Sequence, residues 1–145
     1  EYEQNGAKII NAKVTDLSDN EVNILQYGEE YFLRYEVKIT RPLNQVMFGF
    51  LLKQKNGIAI SGGAYPSCKT EIEELSKNII MKFKIIINLA NGEYFFNVGV
   101  KAKIGDEIAY AHRIIDVYMI KVINNAPNMT SVTQIIQEAS YEELQ

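Results

Sequence analysis

The sequence predicts an all-β protein, an antiparallel β-sandwich, from three observations. Apolar and polar residues alternate with period two over several segments of strand length, which sends neighbouring side chains to opposite faces of a sheet. Glycine, asparagine, aspartate and proline punctuate those segments, so that three strands fall within about thirty residues, the rhythm of a sandwich. Apolar residues at helical spacing are confined to the last stretch. At 145 residues the chain is one domain by size, large enough to bury roughly 68–70% of its unfolded surface without a disulfide or metal staple. The sandwich is expected over residues 1–123, and a linker with a short C-terminal amphipathic helix or tail over residues 124–145.

Residues 1–6 are polar and read as a frayed arm. Residues 7–16 form a first strand with Ile10, Ala12 and Val14 on one parity. Turn formers fill 16–20, and 22–27 add a short strand that Gly28 breaks. The Asp16 and Asp19 pair suggests a calcium loop. An EF-hand, however, needs glycine at its sixth position and glutamate at its twelfth, where Glu21 and Tyr27 stand, so a solvated turn is the better reading. Residues 31–40 place Tyr31, Leu33, Tyr35, Val37 and Ile39 on one side, with Phe32, Arg34, Glu36, Lys38 and Thr40 on the other. One face is core and one is wet.

Pro42 ends that strand, and the next, over 46–55, turns its row of Val46, Phe48, Phe50 and Leu52 inward. Its opposite row, Met47, Gly49 and Leu51, is too apolar for a freely solvated face. Asn56-Gly57 turns the chain into a strand over 58–61. The stretch from Gly63 to Thr70 nearly spells a phosphate-binding P-loop, but Cys68 stands where glycine must precede the lysine, and no partner strand ending in aspartate follows. Residues 69–77 carry at most one exposed helical turn.

Residues 78–103 read as a central hairpin about Asn91-Gly92. Ile79, Met81, Phe83, Ile85 and Ile87 form the inner row of one arm, and Tyr94, Phe96, Val98, Val100 and Ala102 that of the other. Residues 107–123 supply the last strand, broken near 113–116, with Tyr118, Ile120 and Val122 inward. Pro127 marks a linker over 124–129. Val132, Ile135, Ile136 and Ala139 sit at helical spacing within 130–144, and Ser131 with Gln134 resembles a capping box. A helix so short must dock or fray.

Composition removes whole classes of function. One cysteine, Cys68, and one histidine, His112, exclude a Cys/His zinc cluster and an internal disulfide. Fifteen basic against eighteen acidic residues leave a net charge of −3 with no basic cluster, so nucleic acid is not an expected partner. A lone cysteine, the lack of a signal-peptide pattern and apolar runs far below roughly 18 residues predict a soluble, cytoplasmic domain. The chain begins at Glu1 rather than methionine, which suggests a piece of something longer. No catalytic constellation is visible, because His112 has no orienting partner motif. Glu29-Glu30 and Glu142-Glu143 are adjacent, hence on opposite faces of a strand. No cofactor, metal or catalytic residue is expected, and the domain is read as a non-enzyme.

The charged row of Arg34, Glu36 and Lys38 with Lys82 and Lys84 is an ordinary solvated face. The other outer surface, with Met47, Gly49, Leu51, Phe95, Asn97, Gly99 and Lys101, is apolar and rich in glycine, and such a surface rarely stays bare. It fits a protein interface or a sugar platform, where rings lie on apolar sugar faces while amide, lysine or histidine groups bond hydroxyls. Composition alone favours the interface.

The order Gly28-Glu29-Glu30-Tyr31, the strand 46–52 with Asn56-Gly57, Ser61-Gly62-Gly63, the segment 89–100 with Gly92-Glu93-Tyr94, and Ile120-Lys121-Val122 resembles a family. It is the carboxy-terminal domain of Wzt, the ATP-binding subunit of bacterial O-antigen polysaccharide ABC exporters, and the resemblance covers residues 7–123. It implies an immunoglobulin-like sandwich that binds the finished undecaprenyl-diphosphate-linked O-antigen (lipopolysaccharide) glycan in the cytoplasm and selects it for export. It also implies a homodimer paired through last strands, a parent ATPase that meets the transporter's membrane subunit, and a location peripheral to the inner membrane. The alternative is a protein-interaction or dimerisation sandwich without glycan binding. Tryptophan, the commonest sugar-stacking residue, is absent, so stacking would fall to tyrosine or phenylalanine. The ligand-binding residues expected from the apolar outer face are Phe95, Asn97 and Lys101, with Tyr110, His112 and Arg113 at the neighbouring strand end.

Overall fold

The computed structural model describes residues 3–66, 72–125 and 132–133. The regular elements of those residues are all strands: β1 Ala7–Thr15, β2 Ile24–Gln26, β3 Glu30–Ile39, β4 Leu43–Gln54, β5 Ala59–Tyr65, β6 Ile72–Leu75, β7 Ile79–Ile86, β8 Gly92–Ile104 and β9 Glu107–Ile123. They form a three-stranded sheet in the order β1-β3-β7 and a six-stranded sheet in the order β2-β9-β8-β4-β5, with β6 also beside β4. Neighbours run antiparallel except β2, which is parallel to β9.

The inner rows of β3, β4 and β8 follow the predicted alternation. Tyr31, Leu33, Tyr35, Val37, Val46, Phe48, Leu52, Tyr94, Phe96, Val98, Val100 and Ala102 are all buried. Phe50 joins the two sheets, meeting Phe83 edge-on at 4.9 Å and Phe96 at 5.9 Å. On the outer face of the small sheet, Arg34 pairs with Lys82 and Phe32 with Lys84, the solvated charged surface expected.

The central segment is a crossover and not a hairpin. β7 lies against β3 in one sheet, while β8 lies between β4 and β9 in the other. Ile87 and Leu89 are buried as the chain crosses the core. Asn91 forms no tight turn but brackets Asn124: its Nδ2 donates to the Asn124 carbonyl at 2.9 Å, and its Oδ1 accepts the Asn124 N–H at 2.7 Å. Period two specifies which face a strand buries; it does not specify the neighbour.

Four further expectations change. In β1 a bulge between Ile10 and Lys13, with Asn11 at φ 52°, shifts the register, so Ile9 is buried in place of Ile10. The arm is tied at its end: the Asn5 N–H donates to the Ala111 carbonyl, and the Gly6 carbonyl accepts the Thr40 N–H. Residues 72–75, expected within an exposed helical turn, are β6 and pair with β4. Of the C-terminal helix only Val132 and Thr133 are described. Val132 is a bend, and Thr133 is bridged to Leu89, with the Ala90 N–H donating to the Val132 carbonyl. Gly63, Ala64 and Tyr65 of the P-loop-like stretch are strand, and residues 67–70 lie outside the described residues. The Asp16 carboxylate accepts the backbone N–H groups of Ser18 and Asn20, which holds the turn closed.

Candidate functional site

The outer face of the six-stranded sheet carries a groove of about 280 Å³. Its floor is one row across three strands: Ala64 of β5 pairs with Gly49 of β4, and Gly49 with Gly99 of β8. Small residues in register lower the sheet surface there. Met47 and Lys101 pair on one side of that row, and Leu51 and Asn97 on the other. The far wall comes from β9, where Tyr110 pairs with Lys101 and Arg113 with Gly99.

A bulge makes that wall. Val100 faces His112 and Lys101 faces Tyr110, so β9 has one extra residue, Ala111, opposite a continuous β8. Tyr110 and Arg113 therefore share the outer face although three residues apart. Tyr110 lies over Gly99, where a Cβ would come within 2.8 Å of its ring. Both cations lean on that ring, Lys101 Nζ at 4.9 Å and Arg113 Cζ at 4.6 Å from its centre.

A second irregularity lies opposite Asn97, where β9 spends residues 115–117 against a single residue of β8. Asp116 sits there at φ 54°, and its N–H donates to Asn97 Oδ1 at 2.9 Å. That bond orients the amide, leaving its NH₂ as the end open to a ligand. The Asp116 carboxylate is held by Lys53 at 2.6 Å.

The floor is fixed from below. Tyr35, from the opposite sheet, is fully buried, and its hydroxyl lies 3.0 Å from the Gly49 carbonyl and 3.1 Å from that of Gly99. Burial pushes this phenol well above its ordinary pKa. It stays a neutral donor, shared between two carbonyls of the groove floor.

Of the six residues expected in a binding site, Asn97, Lys101, Tyr110 and Arg113 line the groove. Phe95 is on the same face but one row farther along, between Lys53 and Met119, outside the lining. His112 does not belong with them: the bulge turns it inward, it is fully buried, and its Nδ1 accepts the Ile9 N–H at 2.9 Å. Its role is to bind β1 to β9. Sequence reasoning missed Ala64 and Ile115 in the lining. The Gly62-Gly63-Ala64 run, with its lack of bulk opposite Gly49, was the available signal.

Among the described residues no group of three or more His, Cys, Asp or Glu side chains could hold a metal ion. No helix among them is long and apolar enough to cross a membrane. The side chains at the groove offer a ring face, apolar walls and hydrogen-bond donors, the inventory of a binding surface.

The sequence matches the protein family described as the Wzt C-terminal domain over residues 1–135. Among solved structures, the crystal structure of the C-terminal domain of Wzt superposes with a TM-score of 0.83 at 20% identity, covering 97% of this chain and 87% of that one. A CARDB domain from Pyrococcus furiosus, solved by NMR, is more distant, with a TM-score of 0.44 at 10% identity over 84% of this chain and 98% of that one. No curated protein sequence matches the chain. Because that family match spans residues 1–135, nearly the whole chain, the chain belongs to the Wzt C-terminal domain family, whose setting is the O-antigen ABC exporter.

Proposed function

We propose that this domain is a non-catalytic polysaccharide-binding module, and that the groove over Gly49 and Gly99 holds a segment of the O-antigen chain presented for export. The observation that supports this most directly is the pairing of one exposed ring with donors around a floor of glycine. A sugar ring needs an apolar platform for its C–H face and fixed polar groups for its hydroxyls. Tyr110 supplies the platform; Lys101, Arg113 and the Asn97 amide supply the donors. Recognition of the lipid-linked chain takes place in the cytoplasm, beside the inner membrane, with the ATPase and the membrane subunit contributed by the rest of the exporter.

Calorimetric titration of the purified chain with O-polysaccharide from its own source tests the reading. Tyr110→Ala and Lys101→Ala are each expected to weaken binding at least tenfold while leaving the unfolding transition in place. Undiminished binding by both variants refutes this groove as the site.

A second reading has its own observation. Ile108 and Met119 are exposed along β9 and, with Ile115 of the groove lining, extend the apolar face beyond the groove. A homodimer or another protein could cover them. Sedimentation with and without glycan separates the two: an interface module gains mass with concentration and ignores the polysaccharide.

A further inference from the structure

We propose that the outer face of the three-stranded sheet β1-β3-β7 docks on an anionic lipid surface. The groove lies on the outer face of the other sheet, so it stays uncovered when this face is seated. Lipid docking and glycan binding therefore use separate residues.

Charge is sorted toward this face. From sequence it reads as ordinary solvated charge on β3 and β7; the register of β1 adds Lys8 and Lys13 to Arg34, Lys38, Lys82 and Lys84, which makes six cations. The acids there are Glu36, Glu30, which pairs with Lys84 at 3.4 Å, and Asp19, which reaches in to Lys82 at 3.1 Å. The remainder of the chain holds nine basic residues against fifteen acidic ones, so the domain is basic here and acidic elsewhere. Among the described residues, Lys8, Lys13, Arg34 and Lys38 enter no ion pair. Sheets pack about 10 Å apart, so at about 0.1 M salt, with a Debye length of about 10 Å, acids beyond the second sheet are screened from this face.

The register concentrates that charge. Lys8 stands directly opposite Lys38, Lys13 opposite Arg34, and Arg34 opposite Lys82. Opposed residues have their Cβ atoms about 4.5–5.5 Å apart, and like charges set there destabilise a sheet. The bulge between Ile10 and Lys13 builds the middle row. Ile9 and Val14 are the buried residues on its two sides, so one extra residue sends Lys13 outward, where strict alternation from Ile9 would turn it into the core. Three like-charged pairs, one of them made by a bulge, carry a repulsion that an anionic surface relieves.

The remaining side chains favour lipid over an acidic protein. β7 ends the sheet, and its outer row runs Ile80, Lys82, Lys84, Ile86, with the two isoleucines 51% and 64% exposed. Cations interleaved with exposed isoleucine suit a headgroup layer, where ammonium and guanidinium groups meet phosphates and the isoleucines enter the acyl boundary. An acidic protein face would give Ile80 and Ile86 nothing apolar to bury against. The family's setting, an ABC exporter, puts a bilayer within reach. Each basic residue close to an anionic bilayer is worth roughly fivefold in affinity.

The experiment sediments the 145-residue chain with vesicles of phosphatidylcholine, alone or in equal parts with phosphatidylglycerol. Binding to the anionic vesicles only is expected at about 0.1 M salt, weakening as salt rises. Lys8→Glu and Lys13→Glu each turn a like-charged pair into an opposite one. Each is expected to weaken vesicle binding roughly tenfold or more while raising the urea midpoint, and Lys8→Arg is expected to preserve both. Lost binding with gained stability is an outcome that a merely structural role does not produce. Titration of Lys8→Glu with O-polysaccharide is expected to match the unaltered chain, so the lipid and glycan readings fail separately. No binding of the unaltered chain to anionic vesicles, or equal binding by the two Glu variants, overturns the proposal. If vesicles are ignored but Lys8→Glu releases the chain from the detergent-solubilised exporter, the face belongs to a protein partner and lipid is excluded.

Discussion

Gly99→Ala separates the groove from the fold. A Cβ built at this position would stand 2.8 Å from Tyr110 Cε1, 3.2 Å from Cδ1 and 3.4 Å from Arg113 Cβ. For the first contact to reach 3.4 Å, the ring must retreat by about 0.6 Å. It can do so, because Tyr110 is 40% exposed. The stability terms are small and opposed. Displacing the ring forfeits cation–π contact of about 0.5–1 kcal/mol. Replacing glycine in a strand by alanine returns about 0.5–1 kcal/mol of backbone entropy.

The net change in unfolding free energy for Gly99→Ala is therefore expected within about 1 kcal/mol of zero, while binding suffers twice. The floor rises by a methyl group, and the ring that serves as platform leaves its place. A loss of tenfold or more, at least about 1.4 kcal/mol, is expected by calorimetry with O-polysaccharide. Urea unfolding of the same sample supplies the control. Unaltered affinity refutes the groove floor as part of the site. A stability loss above about 2 kcal/mol refutes the claim that the ring yields freely.

Other substitutions probe the supports. Tyr35→Phe removes the hydroxyl shared by the Gly49 and Gly99 carbonyls and is expected to cost about 1–3 kcal/mol in urea unfolding; an unchanged midpoint would mean that hydroxyl holds nothing. Asn91→Ala deletes both bonds to the Asn124 backbone and is expected to cost a similar amount, about 1–3 kcal/mol, with faster amide exchange at Asn124. Tyr118 is pushed up to about 12 by burial, and the Glu21 carboxylate beside its hydroxyl adds to this. Because its folded pKa lies above the ordinary 10, its contribution is complete below pH 10 and is lost as pH rises through about 12. The urea midpoint is expected to fall across that window, and to fall less steeply in Tyr118→Phe; identical profiles would exclude Tyr118 as a source.

The inner rows of β3, β4 and β8 were legible because burial on one sheet face writes period two directly into sequence. The outer row of Met47, Gly49 and Leu51 was legible for the converse reason: a solvated face would carry charge. Partners were harder. Residues 78–103 looked like a hairpin because two apolar arms flank Asn-Gly, yet the arms belong to opposite sheets. Alternation is blind to that choice. The Asn91 side chain that appeared to mark a turn is spent on Asn124.

Bulges explain the rest. At Asn11 and Asp116 the backbone takes a positive φ, at 52° and 54°, which asparagine and aspartate tolerate better than most residues. The residue type hints at such a kink without locating it. At Ala111 even that hint is missing, and the consequence is largest. Counting by twos from Tyr110 groups it with His112 and leaves Arg113 behind, whereas one inserted residue puts Tyr110 and Arg113 together over Gly99 and sends His112 into the core to meet Ile9. The insertion is held in place by the N-terminal arm, whose Asn5 N–H bonds the Ala111 carbonyl. A segment that reads as a loose end thus fixes which side chains of β9 reach the groove. The composition of the wall is set by a one-residue offset that no single-strand pattern can encode.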